Sequence, residues 1–304
     1  MAPEMDTQVT FRHVRVNGVR LHVAEAGPED GPLVVLLHGF PEFWYGWRAQ
    51  IPALAEAGYR VVAPDQRGYN LSEKPKDVAA YRAEELVNDV CGLIEESGRD
   101  SASIVGHDLG AMVAWMLALW QPQTVEKLAI LNVPHPLVFR RLLLTTPSQM
   151  VKSSYISFFQ LPYLPETVSR LTGWRIMRRV MLASSRSSAF SEADLERYRE
   201  AWARPGAFGA MLNWYRAFVR HTPHLPENPR VSVPAKIIWG VKDDFLIEEM
   251  AHESARLCDR AELTLIPRAT HWVQHEEPDL VNARLLSLLD SRRAISGAPA
   301  WEAS

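Results

Sequence analysis

The segment Ile104-Val-Gly-His-Asp108-Leu-Gly-Ala holds more potential chemistry than any other in this chain. Glycines stand two before and two after a central polar residue, with a strand-like run ahead and a helix-like run behind. Such a pattern makes a sharp strand–turn–helix elbow that lifts its central side chain clear of the sheet. Gly106 and Gly110 suit that elbow because neighbouring backbone crowds so tight a turn. Serine is the usual central residue, but here it is Asp108. Aspartate is also a good N-cap, so helix capping is the competing explanation. The paired glycines favour a nucleophile. A serine must give a proton to a base before it attacks a carbonyl. A carboxylate is already ionised at neutral pH and can displace a leaving group from saturated carbon directly. That leaves an ester on the protein, so water must then attack the aspartate's own carbonyl carbon.

The second step needs an oxyanion hole and a base. His38-Gly-Phe-Pro41 follows a buried apolar run, and Pro41 has no N–H, which leaves Phe40 as a donor beside the N–H of Leu109. Among the ten histidines, His271 in Ala269-Thr-His-Trp272 follows the last expected strand and is the expected base. His107 adjoins the nucleophile but should point elsewhere, and His275 lies a helical turn further along. Trp239-Gly-Val-Lys-Asp-Asp244 supplies the orienting acid in the chain order nucleophile, acid, histidine. Asp243 fits the G-x-x-D offset and Asp244 is the runner-up. The other place for an acid offers Asn132, Pro134 and His135 but no carboxylate. Asp65-Gln-Arg-Gly68 is expected to order its own loop by local hydrogen bonds.

Parallel strands must hold these loops. Residues 12–17 and 19–25 alternate around the turn dipeptide Asn17-Gly18. Residues 33–37, 59–63, 101–106 and 127–133 read as strands, with helices at 83–97 and 109–120 between them. Residues 235–239 and 263–266 continue the strands, and a helix over 279–289 closes the pattern. Strands alternating with helices predict a mostly parallel sheet covered on both faces. The rhythm breaks between Pro134 and Pro234, where the chain reads as helical with aromatic clusters at Tyr155-Ile-Ser-Phe-Phe159 and Trp214-Tyr215. Residues 135–230 carry 14 Lys+Arg against 6 Asp+Glu. A solvated basic face accounts for this excess, and a lid whose field favours anions is the sharper reading. The tail after Arg293 is expected to fray.

Composition excludes several classes. A chain of 304 residues, 47% hydrophobic and 23% charged, can bury a sizeable core without staples. Two cysteines make neither a disulfide framework nor a metal-ligand spacing, which fits a reducing compartment. The start MAPEMDTQVT has no basic or apolar signal region, and the apolar run 111–120 is too short to span a membrane. A net charge of -3 argues against nucleic acid as a partner.

Taken together, HGFPEFWYGWRAQIPALAEAGYRVVAPDQRGY, VGHDLGAMVAW, NWYRA, WGVKDDF and THW resemble the soluble epoxide hydrolases of the α/β-hydrolase superfamily, over residues 10–290. The resemblance implies a mostly parallel eight-stranded sheet, a core domain from 1–134 and 234–304, and a helical lid from 135–233. It implies conversion of an epoxide to a vicinal diol through an ester on Asp108, with His271 and Asp243 completing the triad. Two lid tyrosines would hydrogen-bond the epoxide oxygen. Tyr215 matches one, and Tyr155 matches the other, with Tyr163 close enough to compete. The expected partners are a small apolar epoxide and water, with no cofactor and no metal. A cytoplasmic monomer or homodimer is expected. Many members carry Trp after the nucleophile, where this chain has Leu109. Haloalkane and haloacetate dehalogenases share the aspartate nucleophile and are the rival reading. A non-catalytic binding protein on the same scaffold is the remaining one.

Overall fold

Leu33–Leu37 is apolar at every position and buried at every position. Leu33, Val35 and Leu37 enter one apolar core while Val34 and Leu36 enter another, as alternating side chains on a two-faced strand must. The sheet is therefore covered on both sides. A computed structural model describes residues 9–290, so the tail after Arg293 lies outside the described residues.

The strands in chain order are β1 (Thr10–Val16), β2 (Val19–Ala26), β3 (Leu33–Leu37), β4 (Arg60–Pro64), β5 (Ala102–His107), β6 (Val125–Leu131), β7 (Ala235–Gly240) and β8 (Ala261–Ile266). They form one eight-stranded sheet in the order β1-β2-β4-β3-β5-β6-β7-β8. The β1–β2 hairpin and the β2–β4 pair are antiparallel, and every pair from β4 to β8 is parallel. This is the α/β-hydrolase fold. Observed strand limits differ from those read off the sequence by two residues or fewer at most ends, as frayed ends allow.

Three helices accompany the first six strands: α1 (Gln50–Glu56), α2 (Ala83–Glu96) and α3 (Leu109–Trp120). Seven more stand between β6 and β7: α4 (Pro136–Thr145), α5 (Pro147–Lys152), α6 (Tyr155–Phe159), α7 (Leu164–Leu171), α8 (Arg175–Ala183), α9 (Glu192–Ala203) and α10 (Ala207–Arg220). The chain closes with α11 (Glu249–Arg256), α12 (Val273–Glu276) and α13 (Pro278–Leu289). Apolar residues of α1 and α13 cover one face of the sheet, and those of α2 and α3 the other. No helix among the described residues is long and apolar enough to cross a membrane.

Candidate active site

The carboxyl ends of β3, β5, β7 and β8 bring four loops together, the place where open parallel sheets put ligands. At the end of β5 the elbow is tight. A Cβ on Gly110 would lie 2.1 Å from the Leu37 carbonyl oxygen, and one on Gly106 would lie 2.6 Å from the Ala111 Cα. Both positions therefore need glycine for close backbone approach. Asp108 itself sits at φ 50, ψ -126. An L residue there stores about 1–3 kcal/mol of strain that the surrounding packing must offset. Its side chain makes no capping hydrogen bond to α3, which removes the capping explanation for an aspartate at this position.

The Asp108 carboxylate points instead into the site. Its Oδ1 accepts a hydrogen bond from the Phe40 N–H at 2.7 Å, and its Oδ2 lies 3.4 Å from Nε2 of His271. Phe40 is held by the loop after β3. There His38 bonds through Nδ1 to the Gly39 carbonyl and accepts at Nε2 from the Gln66 N–H. Leu109 follows Asp108 directly as the first residue of α3.

His271 is buried between two carboxylates. Its Nδ1 donates to Oδ2 of Asp243 at 2.8 Å. The other carboxylate oxygen of Asp243 accepts from the backbone N–H groups of Phe245 and Leu246. Asn132 donates to Asp243 Oδ2 at 2.8 Å, so the residue found where no carboxylate stands serves to hold the acid. Asp243 is buried and Asp244 exposed, which separates the two candidates. Burial by itself lowers the His271 pKa, yet the charge of Asp243 and the hydrogen bonds to both carboxylates raise it to about 10. Burial likewise raises Asp108, but His271 outweighs it and holds that carboxyl below its ordinary range.

Tyr155 and Tyr215 reach over the carboxylate from α6 and α10. Their rings meet edge-on with centroids 6.0 Å apart, while Tyr163 is 81% exposed on the outside. The motif Asn213-Trp-Tyr-Arg explains how Tyr215 is aimed. Trp214 donates from its indole to the Arg67 carbonyl in the core at 2.9 Å. Arg216 bonds Glu166 at 2.7 Å and the Phe159 carbonyl at 3.1 Å within the inserted helices. Two anchors on either side leave Tyr215 facing inward. Burial and the Asp108 charge push both phenols above their ordinary range, so both stay protonated at neutral pH.

A cavity of about 390 Å³ opens from this point, lined by Asp108, His271, both tyrosines and apolar side chains of α6, α7 and α8. No lysine or arginine lines it, so the basic excess of residues 135–230 does not face the site. A smaller space of about 60 Å³ on the other side of Asp108 is bounded by Leu109, Met112, Phe139 and Phe218.

Two features go beyond what the sequence implies. Asp65 orders its own loop, accepting from Asn70 at 2.8 Å, but it also reaches His22 at 2.7 Å, and Arg67 reaches Asp89 at 2.6 Å. A buried polar cluster also stands behind His271. His107, turned away from Asp108, bonds through Nε2 to the His271 carbonyl at 2.9 Å. Glu42 lies 3.2 Å from its other ring nitrogen and accepts from Tyr198 at 2.6 Å and from His275 at 2.7 Å. Burial lowers His275 to about 4, which leaves its Nδ1 free to accept from Arg48. The available signal was Glu42 itself, a lone acid in the apolar stretch Pro-Glu-Phe-Trp.

An elbow carboxylate, a backbone donor across from it and a histidine–aspartate pair on this sheet define a hydrolase of the α/β fold. The alpha/beta hydrolase fold family profile matches residues 32–278. The chain is 47% identical over 93% of its length to the AB hydrolase superfamily protein YfhM of Bacillus subtilis, covering 99% of that protein. It is 37% identical over 92% of its length to epoxide hydrolase 1 of Caenorhabditis elegans, covering 70% of it. Among solved structures, Bacillus megaterium epoxide hydrolase in complex with an inhibitor superposes with a TM-score of 0.84 at 32% identity, covering 92% of this chain and 100% of that one. The chain belongs to the epoxide hydrolase family of the α/β-hydrolases.

Proposed function

We propose that this protein hydrolyses apolar epoxides to vicinal diols through a covalent ester on Asp108, with residues 135–233 acting as the lid over the reaction. The observation that carries the reading is the split duty of one carboxylate. Oδ1 is held by the Phe40 N–H, while Oδ2 is the oxygen beside His271. In the first half-reaction Oδ2 attacks a ring carbon and the carbon–oxygen bond of the epoxide breaks. Tyr155 and Tyr215 donate hydrogen bonds to the departing oxygen, and one phenol supplies its proton.

Esterification removes the Asp108 charge. One of the two carboxylates that held a proton on His271 is then gone, and its pKa falls from about 10 toward the range of a base. His271 therefore sheds its proton, which restores the phenol, and the neutral ring then takes a proton from water while the hydroxide attacks Cγ of the ester. Negative charge collects on Oδ1, where the N–H groups of Phe40 and Leu109 stabilise it. Collapse breaks the Cγ–Oδ2 bond, the departing alkoxide takes the intermediate's hydroxyl proton to become the diol, and one water oxygen remains in the carboxylate beside protonated His271. Asp243 orients His271 throughout and stabilises its charged form.

The small apolar substrate follows from a cavity without cationic lining. Dehalogenation is the weaker reading, because Phe40 and Leu109 stand where halide-holding Asn or Trp side chains would be needed. A single turnover in heavy-oxygen water tests the ester directly. The label is expected on Asp108, read by peptide mass spectrometry. Label found only in the first-turnover diol would mean direct hydration and no ester.

A further inference from the structure

Twelve of the fifteen large apolar side chains exposed among the described residues lie between residues 137 and 182. Val151 is 73% exposed, Leu171 80% and Tyr163 81%. Soluble monomers rarely concentrate exposed apolar groups this way without a partner for them. The same stretch is strongly basic. Residues 135–190 contain eight Lys+Arg and a single acid, Glu166, which is already paired with Arg216. Arg140, Arg170, Arg175 and Arg179 are exposed and have no carboxylate partner among the described residues.

The two signals share the same helices. In α7, Leu164, Val168 and Leu171 follow at helical spacing, and in α8 Ile176 and Val180 do the same. Arg175 and Arg179 form the adjacent stripe on α8, one residue step around the helix. The apolar stripes also border the cavity, through Val168, Ile176 and Val180. Phe158, Ile176 and Val180 are each about 41–42% exposed to solvent and also line the cavity, so its mouth opens on this face.

We propose that the outer face of α5 to α8 is a docking surface for an anionic lipid bilayer, with the cavity mouth turned toward the lipid. Charge selects this occupant. Basic side chains near an anionic leaflet are attracted while apolar neighbours enter its interfacial region. A second copy of the chain is a poorer match. Face against face would oppose two basic surfaces, and among the described residues the acidic remainder of the molecule exposes only Phe11, Leu71 and Val219 as large apolar partners. Docking would let an apolar epoxide pass from lipid to cavity without crossing water. That delivery role rests on the epoxide reading, whereas the surface itself does not.

Sedimentation of the full-length protein with vesicles tests the surface without reference to activity. The protein is expected to pellet with phosphatidylglycerol-containing vesicles, to stay in solution with pure phosphatidylcholine, and to release as salt rises. The doubly substituted Arg170→Ser/Arg179→Ser and Leu171→Ser/Tyr163→Ser proteins alter exposed positions outside the cavity. Each should bind anionic vesicles about tenfold more weakly or less, with unchanged hydrolysis of a short water-soluble epoxide and unchanged circular dichroism. Salt-insensitive binding, equal binding to both vesicle types, or no binding by the unmodified protein would each overturn the proposal. So would a dimer in light scattering that Leu171→Ser/Tyr163→Ser dissolves, which would assign the face to a second copy. Failure of either variant to fold would leave the salt series and lipid comparison on the unmodified protein to decide.

Discussion

The sheet domain and the inserted helices solve different problems. Around the sheet, β3 and β5 are buried along their whole length, and the groups they deliver are placed by backbone geometry. Asp108 is set by a strained elbow and Phe40 by a loop that His38 braces, while His271, after β8, is held by the buried Asp243 side chain. In the insertion, α7 and α8 leave leucine, isoleucine and valine in solvent, and α6 buries none of its five residues fully. Tyr155 and Tyr215 are placed by packing and by the Trp214 and Arg216 anchors. Groups fixed by backbone should behave as indispensable parts, and groups fixed by packing should tune the rate.

Removing the proposed nucleophile gives the largest expected effect. Asp108→Ala should lower diol formation by more than about 10⁴-fold, because no second nucleophile stands at the elbow. Its circular dichroism should match that of the unmodified protein. Substantial turnover in this variant would break the contrast at its strongest point.

His271→Gln separates the two half-reactions. Asp108 can attack without a base, so the variant should consume about one equivalent of epoxide and stop. Intact-mass spectrometry should then find the protein heavier by the mass of the substrate. Continued turnover would mean that another group activates water.

A tyrosine of the inserted helices should cost less. Tyr215→Phe removes one hydrogen bond to the leaving oxygen while Tyr155 remains, so the ring-opening rate should fall by about 10²-fold or less. Rapid-mixing fluorescence can follow that step. An unchanged rate would reduce Tyr215 to packing, and an effect as large as that of Asp108→Ala would erase the distinction between the regions.

The smallest effect is on stability against pH. The folded-state pKa of His271 is raised to about 10, above an unfolded value of about 6.5. Its contribution is therefore fully present below about pH 6.5 and lost as pH rises through about 10. Melting temperature should decline across that window, and His271→Gln should flatten the decline. A slope unaltered by the substitution would assign it to other groups.

Much of this architecture is local information. Apolar runs of five or six residues separated by helix-spaced segments announce a parallel sheet, because strands buried on both faces need no polar positions. The elbow was legible because two glycines at fixed offsets answer to a backbone clash of about 2.1 Å at Gly110. His271 and Asp243 followed from chain order and from loops at strand ends. Asp108 in place of serine changed the expected reaction without any structure, since an ionised carboxylate needs no base to attack.

Only the tertiary structure decided the rest, because those facts depend on residues distant in sequence meeting in space. It separated Asp243 from Asp244 by burial and Tyr155 from Tyr163 by exposure. It turned Asn132 into the support of an acid 111 residues away and tied Glu42, His107 and His275 behind the catalytic loop. It also put the basic excess of the insertion on the outside, away from an apolar cavity. Composition counts charges but carries no direction, and direction is set by which face of each helix finds a neighbour.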